Sequence, residues 1–390
     1  MERSYSEPAI QAVNMGKRAF CKMLSANDTG KTGGHQSGIY IPKTAVSILF
    51  DVPGKRGENK KKYVKIRWQN DFTTDSVFTY YGKGTRNEYR ITRFGRGFEL
   101  LQEKHTGDLF VFVQLDAEDY EGFLLSSEDD IDAFLNYFGM SPADTGLIEK
   151  QRDSADSEME RRMAQFIAAM GTSFPETKRM SEEARFIFDA VYNERQKIIQ
   201  NPDERLLDWI QTEYVLFRKI EDALYGDKVY HGFDSMDTFI AVANSILNRR
   251  KSRAGKSLEN HLAAIFDGNS LSYDAQLRSE GHKTPDFIFP GGDVYHNMSF
   301  DFHKLVFLGA KTTCKDRWRQ VITEADRIPV KHLFTLQQGI SEAQMEEMKT
   351  ENVVLVVPKA YIKNYPAPYK KDIMDLQTFI AYVKEKEMEP

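Results

Sequence analysis

Two short apolar runs, each tied to one charged residue, constrain this chain more than any other feature. Asp286 opens the run Phe287-Ile288-Phe289, Lys311 follows the run Leu305-Val306-Phe307-Leu308, and Pro290, Gly291 and Gly292 lie between them. Apolar runs of this length, bounded by turn formers, read as neighbouring strands. A carboxylate beside one strand and an ammonium at the end of the next can hold a divalent cation on the acid while the lysine faces a phosphate or an attacking water. That is the chemistry of metal-dependent phosphodiester cleavage. A Pro-Asp dipeptide with a distant lysine is a weak signal by itself. The plain alternative is that Asp286 caps a turn and Lys311 lies along a strand end.

The remaining chain supplies context. With 390 residues there is room for two or three domains, and 41% hydrophobic and 12% aromatic residues fit a folded protein. No apolar run approaches the ~20 residues of a membrane span, and MERSYSEPAIQ lacks the apolar core of a signal peptide, so a cytoplasmic location is expected. Cys21 and Cys314 are too few for a disulfide framework. The net charge of −5 argues against indiscriminate coating of nucleic acid. Distribution matters more than the sum. Bases cluster at Lys55 to Lys65, Lys83 to Arg96, Arg249 to Lys256 and Lys311 to Arg319, whereas acids gather at Glu118 to Asp132.

Residues 1–150 read as a mostly-β unit: a helix containing Lys17 to Leu24, then strands at Ile39 to Ile41, Tyr63 to Trp68, Val77 to Tyr81, Tyr89 to Arg93 and Leu109 to Leu115. Residues 151–180 are charged and read as a linker, either a tether or a helix between domains. From residue 181 to 390 the pattern turns helical and then alternates, an α-β-β-α-β-α-β order that predicts a mixed α/β sheet with helices on its faces. The helices before the sheet suit a dimer surface as well as a core.

The acid-lysine pattern resembles that of the PD-(D/E)xK nucleases. Their second acid falls two residues before the lysine, and here that place is Gly309, which ligates nothing. The helix expected after Lys311 offers Glu324, seven residues or two turns beyond Arg317 and on one face with it. Several segments, SANDTGKTGGHQSGIYIPK, TRNEYRITRFGRG, NRRKSRAGKSLE, PDFIFP, KTTCKDRWRQ and HLFTLQ, resemble in order those of the EcoRII-like type IIE restriction endonucleases, a branch that reads CCGG-, CCNGG- and CCWGG-type sites. The resemblance implies a B3-like pseudobarrel DNA-binding domain followed by a restriction-endonuclease-like domain. It also implies a homodimer, more than one copy of double-stranded target DNA, and a cytosine methyltransferase acting on the same site without being a physical partner.

On that reading Asp286 and Glu324 hold the metal, Mg²⁺ being the ion whose shell is carboxylate, water and phosphate oxygen. Lys311 serves the phosphate or the water. Glu259, beside the apolar stripe of Leu258, Leu262, Ile265 and Phe266, is a metal ligand, a supporting acid or the partner of an arginine. Tyr295 touches the phosphate or simply packs. Lys315, Asp316 and Arg317 form a helix start able to read G·C pairs, and Arg319 and Arg253 hold phosphates. In the first unit Arg86, Glu88 and Arg90 suit a G·C pair or form an exposed basic hairpin. The resemblance adds His35 and Tyr40 to that DNA-binding set. A non-cutting regulator on an inactivated nuclease is the alternative function.

Overall fold

The alternation of Lys60–Trp68, with Val64, Ile66 and Trp68 turned inward and Lys65 and Arg67 outward, folds as a strand in the computed structural model. That structure describes residues 4–30, 38–69, 71–95, 98–143, 146–148, 157–192, 194, 196–280 and 283–388. The first unit begins with α1 (Ser6–Met15), β1 (Arg18–Met23) and β2 (Ile39–Ile41). It continues through β3 (Lys60–Trp68), β4 (Phe72–Tyr81), β5 (Glu88–Thr92), β6 (Leu109–Gln114), β7 (Asp119–Leu125), α2 (Glu128–Phe138) and β8 (Gly146–Leu147). The strands form one sheet in the order β2-β5-β4-β3-β7-β6-β1-β8, curled around Phe20, Trp68, Phe78, Ile91 and Phe112. This is the mostly-β pseudobarrel expected.

One expectation fails here. Lys17 to Leu24 is not a helix: it is β1, paired antiparallel with β6 from Arg18↔Gln114 to Met23↔Leu109. Its residues are buried on both sheet faces, Phe20 in the barrel core and Cys21 against α1 and α2, and such a run has no periodicity that separates strand from helix. The helix α2 starts at Ser127, whose hydroxyl accepts from the amide of Asp130, and ends at Gly139 with φ +60. Ile131, Phe134 and Leu135 pack it onto the first unit, leaving Glu128, Asp129 and Asp132 for the other side.

The second unit opens with α3 (Ser157–Ala169), α4 (Thr177–Tyr192), α5 (Lys197–Gln200), α6 (Pro202–His231) and α7 (Met236–Gly268). α3 and the first turn of α4 lie inside the stretch expected to be linker, and Met163 and Phe166 pack against Met180 and Phe217. After α7 come β9 (Asp274–Ala275), β10 (Phe287–Phe289), α8 (Gly292–His296), β11 (Val306–Lys311), α9 (Trp318–Ile322) and β12 (Lys331–Thr335). The chain closes with α10 (Glu342–Thr350), β13 (Val353–Val356), α11 (Lys359–Ile362) and α12 (Leu376–Met388).

These strands make a mixed sheet, β13-β12-β11-β10-β9, with β10 antiparallel to β11 and β11, β12 and β13 parallel. α7 and α12 cover one face through Phe266 and Phe379, and α9 and α10 cover the other through Trp318, Val321, Met345 and Met348. Leu262, Ile265 and Phe266 are fully buried, each contributing ~1.5–3 kcal/mol on transfer from water, and so fix the rotation of α7. That rotation sets where Glu259 points. No helix is long and apolar enough to cross a membrane, among the described residues.

Candidate active site

The antiparallel register Phe287↔Leu308 brings Asp286, just before β10, alongside the end of β11. Asp286 is 6% exposed. Its Oδ2 accepts from the Ala310 amide at 2.8 Å and from Lys311 Nζ at 3.0 Å, and its Oδ1 accepts from Gln276 Nε2 at 3.1 Å. The acid and the lysine thus meet as the strand pattern required.

Gly309 stands where the second acid of the pattern would fall, and its surroundings are tight. A Cβ at this position would stand 2.8 Å from Val321 Cγ1 and 3.4 Å from the Phe307 ring, so a side chain here requires Val321 to move. The helix that fills this space, α9, is the one that delivers Glu324. The phase argument from Arg317 does not hold, because α9 has only five residues and Glu324 lies two beyond its last one. Its backbone is held differently. Ala325 adopts φ +50, and the buried Lys331 of β12 donates to the carbonyls of Glu324 and Ala325. Glu324 Oε2 is buried and has no hydrogen-bond partner. Burial pushes its carboxyl up to about 7, with Lys311 drawing it down and Asp286 pushing it further up.

Glu259 reaches the same place from α7. Its Oε2 accepts from Lys256 Nζ at 2.8 Å and from Gln276 Nε2 at 3.0 Å, and burial holds its carboxyl above the usual range. Among the described residues no group of three or more His, Cys, Asp or Glu is assembled as a metal cluster. Two carboxylates, one with an orphaned buried oxygen, nevertheless fit Mg²⁺, which takes one or two protein carboxylates and completes its shell with water and phosphate.

Other expected residues are placed apart. Tyr295 is 1% exposed, with its hydroxyl on Glu280 and its carbonyl held by Arg327, so its ring belongs to the core beneath α9. Arg253 corrects the surface reading of the basic run: it is 3% exposed, pairs with Glu213 at 3.0 Å and lies over the rings of Tyr214 and Phe217. Arg253, Ser257 and His261 recur every four residues on the buried side of α7, a spacing that could have revealed this. Arg250 binds Glu221 and the carbonyls of Asn136 and Tyr137. Arg319 turns outward to Glu347.

Lys315, Asp316 and Arg317 stay together, facing the first unit. Lys315 Nζ contacts Asp108 and the Ser126 carbonyl. The Asp316 carboxylate accepts from the Glu128 amide at 3.5 Å. Arg317 pairs with Glu128 at 3.2 Å and with Asp132 at 2.7 Å. Between α2 and the nuclease centre remains a space of ≈ 240 Å³, lined by Asp132, Lys251, Glu259, Lys311 and Arg317. That is below the ~300 Å³ of a drug-sized ligand pocket and far too small for a duplex.

In the first unit Tyr40 stands opposite Arg90 in the β2–β5 ladder, with Glu88 two residues along on the same face. Arg90 is 3% exposed, donating to the Gly38 carbonyl at 3.1 Å and to Glu88 at 3.3 Å. Tyr40, Glu88, Arg90 and Lys22 line a groove of ≈ 610 Å³ whose far wall is formed by Lys363 and Lys370. Arg86 is exposed, 5.4 Å from the centre of the Tyr81 ring. His35 lies outside the described residues.

A barrel with a charged groove joined to a mixed sheet that sets an acid and a lysine side by side suits a nuclease, and its relatives make the class that of the site-specific deoxyribonucleases, the restriction endonucleases. Comparison with known proteins narrows the class. Residues 13–144 match the family described as restriction endonuclease EcoRII, N-terminal, and residues 217–380 match EcoRII C terminal. The chain is 36% identical over 384 residues to the type II restriction enzyme EcoRII of Escherichia coli, covering 93% of each. It is 27% identical over 143 residues to the type II restriction enzyme SsoII of Shigella sonnei, covering 34% of this chain and 44% of that one. Among solved structures, metal-depleted Ecl18kI with uncleaved, modified DNA aligns at 18% identity and TM-score 0.47, over 59% of this chain and 84% of that one. The PspGI–substrate DNA complex aligns at 15% and 0.44, over 55% and 93%. The chain belongs to the EcoRII family of type II restriction endonucleases.

Proposed function

We propose that this endonuclease is Mg²⁺-dependent and of type IIE, cleaving a CCWGG-like duplex site while its first domain binds a second copy of the target. The observation that carries the catalytic part is the Asp286–Lys311 pair at the ends of adjacent strands, with the orphaned Glu324 oxygen nearby. When bound by Asp286 and Glu324, Mg²⁺ supplies Lewis-acid charge at the scissile phosphate. Lys311 holds Asp286 in place and offers its ammonium to the phosphate, where negative charge grows in the transition state. The Ala310 amide fixes the second bond to Asp286, so the carboxylate cannot rotate away. Arg317, with Lys315 and Asp316, reads G·C edges once α2 has withdrawn.

A Mg²⁺-dependent plasmid digest with mapping of the cut ends tests this reading. Shared CC and GG flanks are expected, and Arg317→Ala should lose about 1–3 kcal/mol of discrimination at one G·C pair. Cuts without common flanks would remove the proposed target.

Dimerisation is supported by the far end of the helix pair. Val229 and Tyr230 of α6 and Met236, Phe239, Ile240 and Leu247 of α7 are 40–78% exposed. Met236, Ile240 and Leu247 share one side of α7, and a contiguous apolar stripe of this kind seeks a second surface. Ile240→Glu with Phe239→Glu should convert a dimer to a monomer in sedimentation. A parent that is already monomeric would overturn the assignment.

The raised Glu324 carboxyl has a sign that can be checked. Its folded value of about 7 lies above the ordinary 4.5 of a glutamate, so the metal-free fold binds this proton more tightly than the unfolded chain. The penalty is absent below about 4.5 and complete above about 7. Glu324→Gln should therefore melt about 2–4 °C higher than the metal-free parent at pH 8, and equally at pH 4.5, after solvent screening reduces the effect to ~1–2 kcal/mol. Added Mg²⁺ should raise the melting temperature of the parent alone. Equal melting at pH 8 would show that the carboxyl is not held unfavourably.

A further inference from the structure

Gln276 carries no motif, yet it touches both acids that approach the lysine. It follows directly on β9, and its backbone amide donates to the Asp286 carbonyl at 3.1 Å. Its side-chain Nε2 donates to Asp286 Oδ1 at 3.1 Å and to Glu259 Oε2 at 3.0 Å. A carboxylate only accepts, so the two hydrogens of one NH₂ group must face the two acids. Gln276 also has φ +55, an uncommon backbone state for a residue that is not glycine. That state ends β9 and turns the side chain back across the strand end. On the other side of Asp286, Lys311 and the Ala310 amide take Oδ2. Asp286 is therefore gripped through both oxygens, and among the described residues the carboxamide is the group that also grips Glu259 across this gap.

We propose that Gln276 is a positioning residue of the nuclease centre: its carboxamide spans Asp286 and Glu259 and holds Asp286 oriented for the cation it would bind. This rests on the reading of Asp286 as a metal ligand. Two anions drawn close in a half-buried place repel each other, and a neutral double donor between them keeps both aimed inward without adding charge. A group of this kind acts on metal affinity through the ligands it orients, where loss costs typically about 10–100-fold. Its contribution is largest before the cation arrives.

The test titrates Mn²⁺ into the metal-free full-length protein and reads free Mn²⁺ by electron paramagnetic resonance, without DNA. Gln276→Met keeps the length of the side chain but donates nothing, and should weaken Mn²⁺ binding about tenfold. Gln276→Asn suits the left-handed backbone better than glutamine yet is one methylene too short to span both acids, and should weaken binding equally. Gln276→Glu adds a further carboxylate ligand and should tighten binding several-fold. In cleavage assays the Mg²⁺ concentration for half-maximal rate should rise about tenfold for Gln276→Met, with a smaller fall in the plateau rate. A residue that merely supports the fold would lower thermal stability and leave the affinities in no such order. Mn²⁺ binding by Gln276→Met and Gln276→Asn equal to that of the parent overturns the proposal. Asp286→Asn separates the two layers: if it too binds Mn²⁺ like the parent, the metal assignment itself fails; if it alone loses the ion, only the role of Gln276 falls.

Discussion

Asp286→Ala and Lys311→Ala each reduce cleavage by on the order of 10³-fold or more in Mg²⁺ while leaving specific duplex binding in Ca²⁺ largely intact. The expectation follows from which state each side chain stabilises. Base reading is assigned to Arg317 and its neighbours, whereas Asp286 and Lys311 meet each other at 3.0 Å at the strand ends, with no base-reading residue between them. A group that acts where charge develops contributes to the transition state alone, and one such donor is typically worth about 10²–10³ in rate. Removing the acid proposed to hold the metal, or the ammonium beside it, should cost at least that. Lys311→Ala also leaves the largely buried Asp286, among the described residues, with the Ala310 amide and Gln276, so its metal-free stability is expected to fall as well. Glu324→Ala should behave like Asp286→Ala. Single-turnover cleavage beside fluorescence-anisotropy binding in Ca²⁺ checks all three, and a Glu324→Ala enzyme cutting at the parental rate would refute the displaced second acid.

What could be read in the sequence was what a short window can hold. The strand carrying Asp286 and the one ending at Lys311 are apolar runs beside a charged end, and period-two alternation betrayed β3. β7 and α2 were hidden, since Asp119–Leu125 and Glu128–Phe138 fall in a stretch that reads only as acidic. The helical phase that points to Glu324 does not survive in the structure. Two helical turns were assumed, while the actual path is a five-residue helix, a left-handed Ala325 and the ammonium of Lys331 on the exposed carbonyls. Arg253 was misplaced because a run of bases looks solvated until its acid partner, forty residues earlier on α6, is known. Gln276 was invisible: a glutamine after a two-residue strand gains meaning only when two distant carboxylates arrive beside it.

If the first domain regulates cleavage, the acids it sets against the second unit give that control a concrete form. Asp108, Glu128 and Asp132 of the first unit occupy Lys315 and Arg317, the groups proposed to face DNA, and Arg250 ties the end of α2 to the second unit. Gln337 donates to the Gly107 carbonyl at 2.8 Å and Gln338 to the Pro142 carbonyl at 2.9 Å, extending the same contact. This contact is not a deep well. Burial holds the Glu128 and Asp132 carboxyls above their ordinary range despite the attraction of Arg317, so desolvation offsets much of the Coulomb gain. A contact so balanced can be opened by a ligand that prefers the open arrangement, and the shift is limited to its differential affinity for the two. Asp132→Lys, with or without Glu128→Lys, sets like charges against Arg317, and should speed cleavage of single-site DNA about tenfold or more, equivalent to ~1.4 kcal/mol or more. Added target oligonucleotide should stimulate the parent and no longer stimulate the variant. A fragment lacking the first unit should resemble the variant; it should begin before α3, because Met163 and Phe166 belong to the second core. Arg86→Ala or Arg90→Ala in the full chain should blunt the stimulation while leaving the fragment's rate untouched by construction. Equal single-site rates for parent, variant and fragment, with no response to oligonucleotide, would make the first domain a targeting module that leaves the nuclease cleft accessible.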